Sequence, residues 1–348
     1  MCPTQSRLFE RTITMSTNVM RIGVAGLGRI GKIHFDNLRN HVSAAELVAV
    51  ADPSAEGRAY AEQSRVASYE SFEELIGHPD LDAVAVCSPT DEHANHVIAA
   101  ARAGKHIFCE KPLDLSVDRV EETLGVVKET GVQLMLGFNR RFDRHFAKLK
   151  SLVASGSVGE PHIIKLTSRD PAPPPLEFIK HSGGLFLDMT IHDFDMARHL
   201  AGCDAVEVYA QGSNLLDPAI GEAGDVDTAV CVITFENGAT AVIDNSRRAV
   251  YGYDQRAEVF GTKGMASIGN DTPDRHELFT AAGQQGPLLE SFFLERYALA
   301  YRAEMQAFVE AVNGDKPVPV GGEDGLKALK LGVAALQSTK EHRPVAIG

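Results

Sequence analysis

The sequence predicts an α/β protein: a doubly wound parallel sheet followed by an α+β unit with a mostly antiparallel sheet. Three observations carry this. From residue 21 to about 137, short apolar strands alternate with helical stretches, the pattern of a parallel sheet covered on both faces. The first of these strands runs into glycines spaced G-x-G-x-x-G. After Asn139 the strands lengthen and follow one another with few helices between them, which requires antiparallel neighbours.

The first strand, 21–25, ends at Gly26, and Gly28 and Gly31 follow. Gly26 allows a tight turn off the strand. Gly28 allows the backbone to approach a pyrophosphate, and Gly31 allows the next helix to pack closely. The amides of that helix start, at Arg29, Ile30 and Gly31, would face phosphate oxygens. The second strand, 47–51, ends in Asp52, 21 residues after Gly31. A carboxylate there accepts from a ribose hydroxyl and repels a 2′-phosphate, which favours NAD over NADP. Asp52-Pro-Ser is also a good helix start. Further strands are read at 83–87, 106–109 and 133–136, with helices at 91–103 and 116–129. Gly104 and Gly131 sit where helix C-caps belong.

Beyond residue 139, a short helix is read at 142–154. Strands follow at 162–169, 205–211, 228–235, 239–245 and 255–260, and helices at 184–200, 297–313 and 323–340. Glu236-Asn-Gly238 marks a hairpin. Asp170-Pro-Ala-Pro-Pro-Pro175 reads as a rigid loop leaving a strand. The expected organisation is a disordered extension over 1–19, a dinucleotide domain over 20–139 and a substrate and oligomerisation domain over 140–348.

The chain has 348 residues, enough for two domains, with 44% hydrophobic and 23% charged residues. A net charge of −13 argues against nucleic acid or anionic membrane as a partner. No apolar run is long enough to span a bilayer. Cys2, Cys87, Cys109, Cys203 and Cys231 are dispersed with no C-x-x-C pair, which reads as reduced thiols in a cytoplasmic protein.

Ligands of open parallel sheets lie at the carboxyl ends of the strands. There Ser88-Pro89-Thr90 could bond ribose or phosphate, or simply turn into a helix. His93 is expected to face the cofactor and His96 water. Glu110-Lys111-Pro112 ends the next strand. Lys111 could stabilise charge on a reacting oxygen; alternatively it is a surface lysine paired with Glu110. Asp188 and His192, four apart, share a face of a regular helix. His192 is then a general base and Asp188 its orienting partner. A metal set of His192, Asp195 and His199 lacks a completing ligand, and no metal is expected.

These motifs, with Gly137-Phe-Asn-Arg-Arg-Phe142, resemble the glucose–fructose oxidoreductase/inositol dehydrogenase/rhizopine catabolism (Gfo/Idh/MocA) family over nearly the whole chain from Met20. The segments around Ser168, Asp188 and Tyr253 are similar to its inositol-oxidising members. The resemblance implies a Rossmann domain followed by a large open-faced sheet that often mediates tetramer formation. It implies catalysis by Lys111, Asp188 and His192. NAD would be held by Gly26, Gly28, Arg29, Ile30, Gly31, Asp52, Ser88, Pro89, Thr90, His93, Glu110, Lys111 and Arg140. The polyol would be held by Lys111, Asn139, Ser168, Asp170, Asp188, His192 and Tyr253. Myo-inositol is the expected substrate. Scyllo-inositol, another polyol or a pyranose sugar are the alternatives within this chemistry, and a non-catalytic dinucleotide sensor is the alternative outside it.

Overall fold

The computed structural model describes residues 19–348; the extension read at 1–19, apart from Val19, and Cys2 lie outside the described residues. Strands β1 (Met20–Ala25), β2 (Ala45–Ala51), β3 (Ala67–Tyr69), β4 (Ala83–Val86), β5 (His106–Cys109) and β6 (Leu134–Leu136) form one sheet in the order β3-β2-β1-β4-β5-β6. Every pair in it is parallel. The strand order reverses between β1 and β4, so the loops leaving these two strands part and open a crevice at their carboxyl ends. Strand β4 is buried along its whole length, as expected of a central strand covered on both faces.

The second sheet contains β7 (Pro161–Arg169), β8 (Ala205–Ser213), β9 (Thr228–Phe235), β10 (Thr240–Ser246), β11 (Asp254–Gly261) and β12 (Gly264–Ile268). Strands β13 (Leu278–Thr280) and β14 (Gly283–Gln285) form a separate ribbon, and β15 (Val345–Ala346) adds an edge. The order is β12-β11-β7-β10-β9-β8-β15. Only β7 and β10 run parallel; the other pairs are antiparallel. The hairpin read at Glu236-Asn-Gly238 joins β9 to β10, with Gly238 at φ +83°. Strands β3, β12, β13, β14 and β15 were not read from the sequence.

Burial alternates along β7, β9, β10 and β11, so one face of this sheet is covered and the other open. Helices Ile191–Ala201 and Gly322–Glu341 supply the cover. The two sheets part between Leu136 and Pro161, yet the chain later returns to the first. Met305, Phe308 and Val309 of helix Ala298–Asn313 share a core with Phe35, Leu38 and Phe108. Val320 accepts a hydrogen bond from the Leu136 amide at 3.0 Å. A cut at residue 139 would therefore strip the first sheet of part of its packing.

The helix read at 184–200 is not continuous. Residues Leu185–Met189 form a π-helical turn, and the regular helix begins at Ile191. The Thr190 amide donates to the Leu185 carbonyl, the five-residue step of a π turn.

Candidate active site

Gly26 and Gly31 of the G-x-G-x-x-G stretch each have a separate physical reason. Gly26 has φ +88°, and a Cβ there would lie 2.7 Å from the Cys87 carbonyl oxygen. A Cβ on Gly31 would lie 1.9 Å from the Gly26 carbonyl oxygen, so helix Arg29–Asn40 packs directly on the turn. A Cβ on Gly28 would meet nothing, and no side chain caps the helix. The early amides of that helix, at Arg29, Ile30 and Gly31, are left for an anion. Arg29 is exposed, with its guanidinium over the Phe293 ring, 5.9 Å from the centroid. The cradle thus fits a dinucleotide pyrophosphate.

Asp52 ties this turn to the next strand. Its Oδ2 accepts from the Leu27 amide at 2.6 Å, and its Oδ1 accepts from the Ser54 amide and hydroxyl. Burial works against its charge, but these hydrogen bonds and Arg58 hold it below the usual carboxylate range. The cap of helix Ala55–Gln63 is Ser54, not Asp52. Oδ2 retains a lone pair for a ribose hydroxyl.

Around Ser88 the structure corrects the reading of the two histidines. His93 is buried, and its ring nitrogens meet the carbonyls of Pro112 (2.7 Å) and Ser88 (2.8 Å). It pins two cofactor-side turns together and has no nitrogen left for a cofactor. His96 does not face water: it stacks on Phe72 and bonds the Ser88 hydroxyl at 2.9 Å. Pro89 occupies the cap of helix Thr90–Arg102, which carries no side-chain cap, so the Thr90 end also offers open amides.

Glu110 is not the partner of Lys111, nor does its position favour cofactor contact. Its Oε1 bonds buried His34 at 2.8 Å, and its carboxylate packs where a Cβ on Gly137 would stand. Glu304, fully buried, comes within 4.0 Å of the same imidazole. Neither Glu304 oxygen nor His34 Nδ1 has a hydrogen-bond partner. Among the described residues this is the set whose donor atoms, within 4.8 Å of one another, could surround a cation. It lies where helix Ala298–Asn313 packs back on the first sheet and its helix Arg29–Asn40. Burial, and then Glu110, pushes the Glu304 carboxyl well above its ordinary range, so its charge is relieved by a proton.

Lys111 crosses to the second domain. Its Nζ donates to the Asp188 carbonyl at 2.7 Å and lies 3.3 Å from Asp188 Oδ1. Asp188 Oδ2 is 3.3 Å from Nη1 of Arg247. The Asp188 carboxylate is therefore held between two cations and does not orient His192, whose Nδ1 is buried without a partner. The four-residue spacing predicts a shared face only in a regular helix, and the π turn removes that regularity. His192 stands edge-on to Phe138. Burial, helped by Lys111 and Arg140, pushes it well below the ordinary imidazole range. A neutral imidazole results.

Sheet register assembles the neighbouring residues. Ser168 on β7 pairs with Asn245 on β10 and Gln255 on β11, all on the covered face. The Ser168 hydroxyl donates to Asp193 (2.6 Å), and Arg140 donates to Ser168 (2.9 Å) and pairs with Asp193. Asn245 donates to Asp193 at 2.9 Å. Ser168 and Arg140 are thus engaged in a buried network, with Arg140 Nε left without a partner. Asn139 begins the adjoining short helix and keeps a buried, unpartnered Oδ1. Tyr253 is buried edge-on to Phe292 and Tyr297. Asp170 lies 3.5 Å from Arg247; burial raises its carboxyl to about 6, with Arg247 opposing. Asp195 pairs with Arg141, so it is not available to a metal.

Arg247, Asp193, His34 and Glu304 were missed from the sequence. Arg247 carried a signal: burial alternates through Ala241, Ile243 and Asn245, and Arg247 continues that parity.

A family model described as an oxidoreductase family with an NAD-binding Rossmann fold matches residues 20–138. One described as a GFO/IDH/MocA C-terminal domain matches residues 146–267. The chain is 52% identical over 330 residues to the myo-inositol 2-dehydrogenase of Thermotoga maritima, covering 94% of this chain and 98% of that one. It is 46% identical over 331 residues to the inositol 2-dehydrogenase of Rhizobium meliloti, covering 94% and 99%. The crystal structure of a myo-inositol dehydrogenase from Corynebacterium glutamicum superposes with a TM-score of 0.91 at 38% identity, covering 95% of this chain and 99% of that one.

Two outcomes follow from this geometry. Asp52→Ala should lower the preference for NADH over NADPH at least tenfold in fluorescence titrations; an unchanged ratio contradicts the ribose role. Glu304 binds its proton more tightly folded than unfolded, so it costs stability as pH rises above its unfolded value, about 4.3. Glu304→Gln should therefore gain stability relative to the parent between pH 5 and pH 8, read by urea unfolding. A pH-independent difference contradicts the assignment.

Proposed function

The chain belongs to the Gfo/Idh/MocA family of oxidoreductases, and on that premise we propose that it oxidises myo-inositol to 2-keto-myo-inositol (scyllo-inosose) with NAD as the acceptor. The observation that carries this reading is the contact of Lys111 with Asp188 beside a neutral His192. It joins the carboxyl edge of a dinucleotide-binding sheet to a polar face of the second domain.

NAD, when bound, supplies the hydride acceptor at nicotinamide C4, and the Gly26, Gly28 and Gly31 turn with Asp52 would hold its phosphates and ribose. The remaining tasks fall to the chain's side chains. His192, held neutral by burial, would accept the proton of the reacting hydroxyl. The Lys111 ammonium faces the oxygen that becomes negative and stabilises it. Asp188 holds that ammonium in place. Asp170, Asn139 and Tyr253 offer an acceptor, an amide and a phenol toward the other ring hydroxyls.

We further infer a homo-oligomer, a tetramer, working in the cytoplasm on a small polyol, with no nucleic-acid or membrane partner. The open face of the second sheet supports assembly. Ile163, Phe260 and Met265 are exposed next to one another across β7, β11 and β12, as are Tyr209 and Val232 across β8 and β9. Exposed apolar patches of this kind mark interfaces. The cysteines among the described residues are free thiols. No helix among them is long and apolar enough to cross a membrane.

His192→Ala and Lys111→Ala should each lower kcat by about 10²–10⁴-fold, the usual contribution of such groups, while NADH still binds. Parental turnover in both variants would remove the role assignment. NADH formation with myo-inositol should exceed that with scyllo-inositol, chiro-inositol and glucose; absence of NADH with every polyol would favour a dinucleotide sensor. Light scattering should return four times the chain mass, and a monomer at micromolar concentration would refute the tetramer.

A further inference from the structure

Arg247 is among the largest fully buried side chains of the protein, and it faces the candidate site. It lies one residue past β10, on the covered parity of that strand. Asp170 lies one residue past β7 on the same parity, and β7 and β10 are parallel neighbours with Ser168 opposite Asn245. Register alone therefore sets Arg247 beside Asp170. The backbone fixes both ends of this step: the Arg247 amide donates to Asp227 (2.8 Å), and the Asp170 amide donates to Ser246 (2.9 Å). One guanidinium nitrogen, Nη1, lies 3.5 Å from Asp170 and 3.3 Å from Asp188. Nε and Nη2 are buried with no partner. The cation is thus held in place by its two carboxylates rather than by a full shell of acceptors.

Building on the dehydrogenase reading, we propose that Arg247 is a positioning residue of the reaction. It holds the Asp188 carboxylate turned toward Lys111 and keeps Asp170 close as an anionic acceptor for a substrate hydroxyl. Without it, Asp188 would keep only Lys111, and Asp170 would lose the cation it pairs with while Asp188 stays its neighbour. Two neighbouring buried carboxylates that lose a cation between them hold a proton to higher pH. A proton on either one would release Lys111 from its place or remove an acceptor from the substrate. The charged groups facing this cluster are Lys111, Asp170, Asp188, Asp225, Arg140 and His192. Of these, Asp225 is already engaged by the Leu185 amide, and Arg140 by Asp193.

The test compares the parent with Arg247→Gln and Arg247→Lys. For Arg247→Gln we expect kcat with myo-inositol to fall at least 30-fold while NADH affinity stays within twofold. The acid limb of the kcat–pH profile should move up by at least one pH unit, because a carboxylate robbed of its cation holds its proton to higher pH. Arg247→Lys, which keeps the charge but not the fork, should leave that limb in place and lower kcat at least fivefold. An unmoved limb in Arg247→Gln, or parental kcat in Arg247→Lys, overturns the proposal. A parent enzyme inactive on every polyol would instead refute the dehydrogenase reading. The charge placement then remains readable without substrate: Arg247→Gln should lose more stability at pH 8 than at pH 5, and an equal loss at both overturns it. If Arg247→Gln does not fold, the kcat and acid limb of Arg247→Lys decide the matter.

Discussion

The contact on which the site depends is a single ammonium crossing between domains. Lys111 leaves the end of β5 and reaches both the carbonyl and the carboxylate of Asp188. Its bond to a backbone oxygen ties the strand end to the course of the second-domain chain as well as to one side chain. The turns on either side of Lys111 are held just as firmly. Glu110 is buried on His34, and the Pro112 carbonyl is held by His93. The lysine stem is therefore aimed by buried polar groups on the first domain, and its head is received by charge on the second.

The substrate side depends on a different constraint, the satisfaction of buried charge. Asp193 receives Arg140, Ser168 and Asn245. Isolated ions in such a place would be strongly unfavourable, and a buried pair with added hydrogen bonds offsets that penalty only when geometry is good. Two strands and two helical segments meet at this one carboxylate, so their relative positions are specified together. The candidate ligand groups Asp170, Tyr253 and Asn139 border this network. They inherit its rigidity without belonging to it.

Much of this was legible wherever the physical requirement is local. The glycine turn is a steric demand of neighbouring backbone at Gly26 and Gly31, while Gly28 leaves open space. The parallel first sheet followed from alternating short apolar strands. What escaped was set by tertiary placement. A spacing of three cannot say which side of a helix meets the protein, so neither His93 nor His96 has its expected surroundings. Glu110 beside Lys111 in sequence points elsewhere because successive residues at a strand end face opposite sides. His34 and Glu304, 270 positions apart, meet only because a late helix returns to the first domain. Strands β3 and β12, of three and five residues, carry too little periodicity to read. Arg247 was hidden by its chemistry, since an arginine on the covered parity of a strand looks like a surface residue until its carboxylates are seen.

The π turn at Leu185–Met189 makes the site sensitive to chain length in a way that side-chain chemistry does not reveal. A regular α-helix advances about 100° per residue, so removing one residue here would relax the winding and swing everything before it around the axis. Asp188 would leave Lys111 and Arg247 although every functional side chain was still present. Substitutions along this segment perturb one group at a time, whereas a single-codon deletion would dismantle the constellation at once. The irregular backbone is thus a counting device, and the count matters as much as the residues it spaces.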